Sequence, residues 1–299
     1  RSGRNRWLPH GFSSGRYLTL IFRHFTGTIK IDQAGILASR PPMPPVASFH
    51  CERPALNDVW RVCARSQWVG TQEALMDCPT REQAAYVGDG LLVGKWLFYL
   101  SGDARHWRHL IREMFAVQSS DGLIKTQVFS GMKGILLDYL LLAIVGVRDY
   151  WQATEDRDTL REILPAADRL IDWFMRRTDD AGLFNIPIES LPSRIGWVTP
   201  PSSAEATFEE CGYILFIDHP GTGWHNIAEP GLERKGQNTA LNALYGIALR
   251  SMAVIHRAVG TADAAERYEA ESRRVNAASH RFWDRRKGLF SDGRMGDHL

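Results

Sequence analysis

Residues Thr154–Phe184, TEDRDTLREILPAADRLIDWFMRRTDDAGLF, carry the pattern that decides the fold. They open on Thr154-Glu155-Asp156, run through a helix and close on Gly182-Leu183-Phe184. The same phrase stands at two other places. Ser101-Gly102-Asp103 ends one helix and leads into a second, closed by Asp121-Gly122-Leu123-Ile124; Thr261-Ala262-Asp263 does the same, closed by Gly288-Leu289-Phe290. The acidic residue can cap a helix start, and the glycine can take φ > 0 at a helix end. Each unit is therefore an α-hairpin, and units of this kind bury their apolar faces only by stacking on neighbours. Stacked hairpins form an open solenoid or a closed toroid. The long irregular insert Phe184–Gln237 favours a toroid whose loops line a cleft.

Working outward, the helical pattern begins near Asn57. Leu56, Val59, Trp60 and Cys63 fall at helical spacing, as do Leu97 and Leu100, then Trp107, Leu110, Ile111 and Met114. The richest apolar stretch, Ile135 to Val147, is interrupted by Asp138 and reads as a buried helix. Trp60, Trp96, Trp107, Trp151 and Trp173 sit at helical spacing and are expected in the core. Arg273, Arg274, Arg281, Arg285, Arg286 and Lys287 read as a solvated helix face. Residues 1–48 read differently. Leu18, Leu20 and Phe22 alternate with Tyr17, Thr19 and Ile21 in a strand-like run, and Thr28–Ile31 is a second. The stiff segment Arg40–Pro45, RPPMPP, can continue neither strand nor helix and marks a linker or domain edge.

Composition narrows the function classes. With 299 residues, 44% of them apolar, the chain can bury one large core, or one core and a satellite domain. A net charge of +2 without clustered basic residues argues against a nucleic-acid or membrane-surface partner. No apolar run approaches the roughly 18 to 20 residues needed to span a bilayer. Cys51, Cys63, Cys78 and Cys211 show neither paired nor metal-ligand spacing. Arg1 is not a natural start, so the missing leader says nothing about export, and the compartment stays open.

The densest polar cluster is Asp77-Cys78-Pro79-Thr80-Arg81-Glu82-Gln83-Ala84-Ala85-Tyr86-Val87-Gly88-Asp89, between two helices. Pro79 and Gly88 are expected to force a loop, which frees the carboxylates from a common solvated helix face. Glycoside hydrolysis needs two carboxyl groups flanking the scissile bond, one of them protonated at working pH. Glu82 has Asp77 and Asp89 as possible like-charge neighbours that would raise its pKa, and Arg81 as a counterweight. From the residues alone, a carbohydrate or polyol site and a capped helix start with a surface ion pair both remain open.

This cluster resembles the acidic motif of bacterial α-L-rhamnosidases, glycoside hydrolase family 78, which runs Asp-Cys-Pro-x-Arg, one or two acids, an aromatic and Gly-Asp. Ser48-Phe49-His50-Cys51 with Pro54-Ala55-Leu56-Asn57 resembles the family's approach to its catalytic domain. Asp121-Gly122-Leu123-Ile124, Phe216-Ile217-Asp218 and Ala240-Leu241-Asn242-Ala243 also match. The resemblance implies a mainly α fold: an incomplete (α/α)6 six-hairpin toroid over residues 49–299, preceded over 1–48 by the end of a β-sandwich domain and a linker. It implies an inverting hydrolase that removes terminal α-L-rhamnose from glycosides or polysaccharides without cofactor or metal. Glu82 would be the general acid, while Asp77, Arg81 and Asp89 would bind or orient the sugar ring. Tyr86 takes the place of a frequent tryptophan and could stack on the sugar. Asp218 matches a position where the family often has Asp-Trp, but His219 follows it here. The family's water-activating glutamate lies far downstream, so the resemblance places the base beyond Leu299.

The other candidates are less specific. Glu189, Glu209, Glu210 and Glu229 read as surface carboxylates. His219 and His225 flank Gly221-Thr222-Gly223-Trp224 without a third metal ligand, and Trp224 could serve as a sugar platform. Two rival readings stand beside the rhamnosidase: a six-hairpin hydrolase of another sugar, and a non-catalytic carbohydrate-binding or degenerate homologue.

Overall fold

A computed structural model describes residues 3, 5–9, 11–43, 46–129, 135–185, 215–216 and 236–291. Among them are seven α-helices: α1 (Pro54–Val69), α2 (Val87–Ser101), α3 (Arg105–Ala116), α4 (Leu137–Thr154), α5 (Arg157–Met175), α6 (Thr239–Val259) and α7 (Ala262–Ser279). Helices α2/α3, α4/α5 and α6/α7 form the three hairpins read from the repeated phrase. The turns between them are only two or three residues long, and the first helix of each ends on a left-handed residue: Gly102 (φ 70°), Glu155 (φ 54°) and Gly260 (φ 90°). Asp156 caps α5 as expected, its side chain accepting the Thr159 N–H at 3.0 Å. The turn before α7 works differently: Thr261 donates its hydroxyl to the His256 carbonyl rather than capping the helix.

The sequence periodicities explain the layering. Helices α2 and α4 are apolar almost all round, whereas α3 and α5 carry sharply segregated polar and apolar faces. A helix apolar on every side must be covered on several sides, and an amphipathic one suits an outer position. Accordingly α2, α4 and α6 pack side by side in one layer, and α3, α5 and α7 return against them. The core between the layers includes Leu97, Trp107, Ile111, Leu141, Ile144 and Trp173, all essentially inaccessible. Polar ties also cross the helices. Lys95 of α2 pairs with Asp149 of α4 at 2.7 Å, and Arg148 of α4 reaches Ser251 of α6 at 3.1 Å. The Asp168 carboxylate of α5 meets His256 Nε2 of α6 at 2.9 Å and accepts the Tyr268 hydroxyl of α7 at 2.6 Å.

Because the intra-hairpin turns are short, the described parts of the long connections (70–86, 117–129, 135–136, 176–185 and 236–238) leave and enter the helices at their opposite end. Pairs of two-residue strands stitch that end. β1 (Ala85–Tyr86) pairs antiparallel with β2 (Gln127–Val128), and β3 (Ile135–Leu136) runs parallel to β4 (Leu215–Phe216). A further pair, β5 (Trp283–Asp284) and β6 (Leu289–Phe290), follows α7.

The closing phrases of the repeat are tight turns beyond the helix ends. Asp121 and Asp179 each accept a backbone N–H from the leucine two or four residues on, at 3.0 and 2.9 Å. Gly122 (φ 97°) and Gly182 (φ 91°) supply the left-handed conformation that the reversal requires. Asn242, from the Ala240–Ala243 motif, clamps the second of these turns. Its side chain accepts the Phe184 N–H at 2.7 Å and donates to the Phe184 carbonyl at 3.0 Å, fully buried.

The described residues of 1–48 form no strand, and Tyr17, Leu18 and Ile21 are exposed. An alternating run becomes a strand only when a partner supplies its hydrogen bonds, and no described segment does so. Around the RPPMPP segment the chain instead lies along the helices: Met43 is buried, and the Val46 and Ala47 N–H groups donate to the Leu100 carbonyl at 2.8 and 3.1 Å. One expectation needs correction: Trp96 is not core. It projects from α2 58% exposed, in a stripe with Leu92 and Tyr99, and Trp60 and Trp151 are only partly covered. Helix α1 forms as its spacing implies, and none of its residues is fully buried.

Replacing Asn242 with alanine should leave both Phe184 backbone groups buried without partners, at a cost of about 2 to 3 kcal/mol. Chemical denaturation should show a lower midpoint with an unchanged slope. A midpoint equal to wild type would mean that the clamp contributes nothing net.

Candidate active site

The segment from Gly70 to Tyr86 is anchored at both ends. Leu75 and Met76 are buried, and β1 is held in its pair with β2. Between these anchors, residues 77–84 close on themselves. The Asp77 N–H donates to the Ala84 carbonyl at 3.0 Å, and the Ala84 N–H donates to Asp77 Oδ1 at 2.9 Å. Inside this ring the Glu82 N–H donates to Cys78 Sγ at 3.3 Å. Gln83 takes the left-handed conformation (φ 52°), and its side chain donates to the Pro79 carbonyl at 2.9 Å. The closure turns Glu82 back onto Asp77. The two carboxyl groups are hydrogen-bonded, and Asp77, Cys78 and Glu82 offer atoms all within 4.8 Å of one another.

The electrostatics of the pair are asymmetric. The hydrogen bond with Asp77, then burial, then the Asp77 charge push the Glu82 carboxyl above the ordinary glutamate range, against the pull of Arg81. Arg81 itself projects into solvent, and its guanidinium reaches Glu82 Oε1 at 2.6 Å, with the Glu82 side chain 25% exposed. Burial raises Asp77, but its hydrogen bonds with Glu82, the Ala84 and Cys78 amides and the Cys78 thiol outweigh burial and hold it below the usual value. Of the two acids, Glu82 therefore keeps its proton to the higher pH. Tyr86 is pushed up to about 12, chiefly by burial and then by the charges of Glu82 and Asp77, so its phenol stays neutral.

Asp89 sits in the first turn of α2. Gly88 does not break the chain there as expected: it is helical, and its lack of a side chain lets the Tyr139 ring of α4 lie against the backbone. A Cβ at Gly88 would fall 2.9 Å from that ring. The Tyr139 hydroxyl donates to Asp89 Oδ2 at 2.9 Å, and its ring stands edge-on to Tyr86 with centroids 6.3 Å apart. The structure thus brings Asp77, Arg81, Glu82, Tyr86 and Asp89 to one end of the molecule and adds Tyr139 and the buried Gln127, which hydrogen-bonds Tyr86. The sequence reading missed both. Tyr139 lies in an apolar run and reads as core, and Gln127 has no motif around it. Asp218, His219, Trp224, His225, Glu189, Glu209, Glu210 and Glu229 lie outside the described residues.

Asp77, Cys78 and Glu82 are the one described group with converging donor atoms of metal-ligand type. All three are already engaged with one another, and hydrolysis by a carboxyl pair calls for no metal, so none is assigned. Cys51, Cys63 and Cys78 are free thiols.

Stacked α-hairpins with carboxyl groups gathered where the long loops meet define a six-hairpin glycosidase domain. The chain belongs to the bacterial alpha-L-rhamnosidase 6 hairpin glycosidase domain family, whose sequence profile matches residues 44–298. Solved structures agree on the fold. A GH78 family rhamnosidase of Bacillus sp. GL1 superposes with a TM-score of 0.66 at 20% identity, covering 86% of this chain and 24% of that one. A Klebsiella oxytoca rhamnosidase with rhamnose bound gives 0.63 at 19% identity, over 85% of this chain and 43% of that one. A Streptomyces avermitilis alpha-L-rhamnosidase complexed with L-rhamnose gives 0.58 at 16% identity, over 84% and 21%. The chain therefore spans less than half the length of each of these proteins. No curated protein sequence matches it.

Asp77→Asn would remove a like charge and a carboxylate partner from Glu82. The Glu82 pKa should fall, read as a lower midpoint in a carbon-13 NMR titration of its side chain. An unmoved midpoint would take Asp77 out of this role.

Proposed function

We propose that this domain hydrolyses terminal α-L-rhamnosides with inversion, and that Glu82 is the general acid. The observation that carries the reading is the carboxyl pair: a partly exposed glutamic acid whose pKa is raised by its contact with Asp77, an aspartate held below the usual range. Such a group can deliver its proton to a glycosidic oxygen arriving from solvent. Membership of the rhamnosidase domain family and the rhamnose held by two of the structural neighbours favour this sugar.

Asp77 and Glu82 are in hydrogen-bond contact, whereas an inverting pair stands roughly 6.5 to 9.5 Å apart to admit a water. Asp77 is thus the tuner of the acid rather than the base that activates water, and that carboxylate comes from another part of the full-length protein. Asp77, Arg81 and Asp89 hold the sugar ring, with Tyr86 as its aromatic wall. Asp218 and Trp224 are assigned to the same pocket from the sequence resemblance. Residues 1–48 are the end of a preceding β-sandwich domain and linker; the apolar side chains exposed there, Tyr17, Leu18 and Ile21, suit a strand whose partners lie in that domain.

The active form carries the proton on Glu82, so activity should be lost as pH rises through its raised pKa. In the full-length protein, Glu82→Gln should lower kcat about 10²- to 10⁴-fold on an α-L-rhamnosyl disaccharide, whose alkoxide leaving group needs the proton. Near-wild-type turnover would remove Glu82 from the role. Turnover of another sugar in preference would move the domain to a different six-hairpin specificity, and binding without turnover would mark a lectin-like homologue.

A further inference from the structure

We infer that Tyr139 is a positioning residue for this site, fixing the Asp89 carboxylate that holds the sugar; the inference rests on the reading of Asp89 given above. Three independent contacts define it. The Tyr139 hydroxyl donates to Asp89 Oδ2 at 2.9 Å, across 50 residues of sequence. Its ring packs against the bare backbone of Gly88, where any side chain would collide with it. The ring also meets Tyr86 edge-on, with an interplanar angle of 89°. The ring is thus held from two sides, and the direction of its hydroxyl follows.

The placement repeats from one hairpin to the next. Asp89 is the third residue of α2, which follows the two-residue strand β1; Tyr139 is the third residue of α4, which follows the two-residue strand β3. Equivalent positions on adjacent first helices face each other at the end where the long loops gather. An aspartate in a helical first turn loses side-chain freedom when it grips a ligand. A hydrogen bond already fixing one of its oxygens removes part of that cost before the sugar arrives. A phenylalanine would fill the same space without the bond.

Because Asp89 contacts the ring rather than the bond being broken, losing its anchor weakens ground state and transition state alike, which raises KM and spares kcat. In the full-length protein, Tyr139→Phe should raise KM for an α-L-rhamnoside and the Kd for free L-rhamnose about tenfold, as expected for one hydrogen bond to a charged group. The value of kcat should stay within about twofold, and the alkaline limb of the pH profile should not move, since Asp77 and Glu82 are untouched. Adding Tyr139→Phe to Asp89→Asn should cost nothing further, because the hydroxyl acts through Asp89. Unchanged KM and Kd in the single variant, or additive losses in the double variant, would overturn the assignment. A fall in kcat and melting temperature with KM unmoved would overturn it too, by showing a purely structural role. A wild-type protein that neither binds L-rhamnose nor cleaves rhamnosides would sink the parent reading, and this inference with it.

Discussion

Two hydrogen bonds between Asp77 and Ala84 hold the candidate site together. The backbone N–H of Asp77 donates to the Ala84 carbonyl, and the Asp77 side chain accepts the Ala84 N–H. They close an eight-residue ring in a segment that has no helix to stiffen it. They anchor the closure that the Glu82 N–H to Cys78 Sγ and the Gln83 side chain to the Pro79 carbonyl complete, turning Glu82 back toward residue 77. The ring is useful because both its ends are fixed, by the buried Leu75 and Met76 on one side and the β1–β2 pairing on the other. The β2 strand in turn belongs to the connection between α3 and α4, so the position of the carboxyl pair is tied to the packing of two hairpins.

The hairpin plan explains why chemistry gathers at one end. Turns of two or three residues cannot carry a site; they only reverse the chain. Among the described residues, the segments that hold the candidate groups fall at the other end, where the chain enters the first helix of a hairpin. The packed layers carry the stability, and loops on such a scaffold can change without disturbing it.

Much of this was legible in the sequence, and the limits have physical causes. The repeated acidic-to-glycine phrase located three hairpins because helix ends and turns demand particular residues locally. The acidic motif located the loop ring for the same reason. Burial was less legible. Leu56, Val59 and Cys63 gave the helix of α1 correctly but not its surroundings, because periodicity reports a face and not what covers it. Trp96 follows the same rule. The alternating run at Tyr17–Phe22 has strand character that only a partner strand could realise. Tyr139 was hidden by its neighbours: within an apolar run a tyrosine reads as filling. Gly88 was the visible trace of it, read as a loop former when its smallness serves a ring packed from the next hairpin.

The same bonds that shape the loop also decide where its proton sits. An aspartate that accepts backbone N–H groups is stabilised as the anion, since each donor favours the charged form. Asp77 has those donors because it closes the ring. Glu82 instead donates its own N–H to Cys78 Sγ, and its carboxyl meets the Asp77 charge, the Arg81 guanidinium, the Cys78 thiol and solvent. Two acids in contact cannot both ionise freely, and the one better solvated by the fold wins the charge. The raised pKa of Glu82 and the lowered one of Asp77 therefore follow from the geometry of closure. Exchanging the two roles would require the ring to close through residue 82 instead of residue 77.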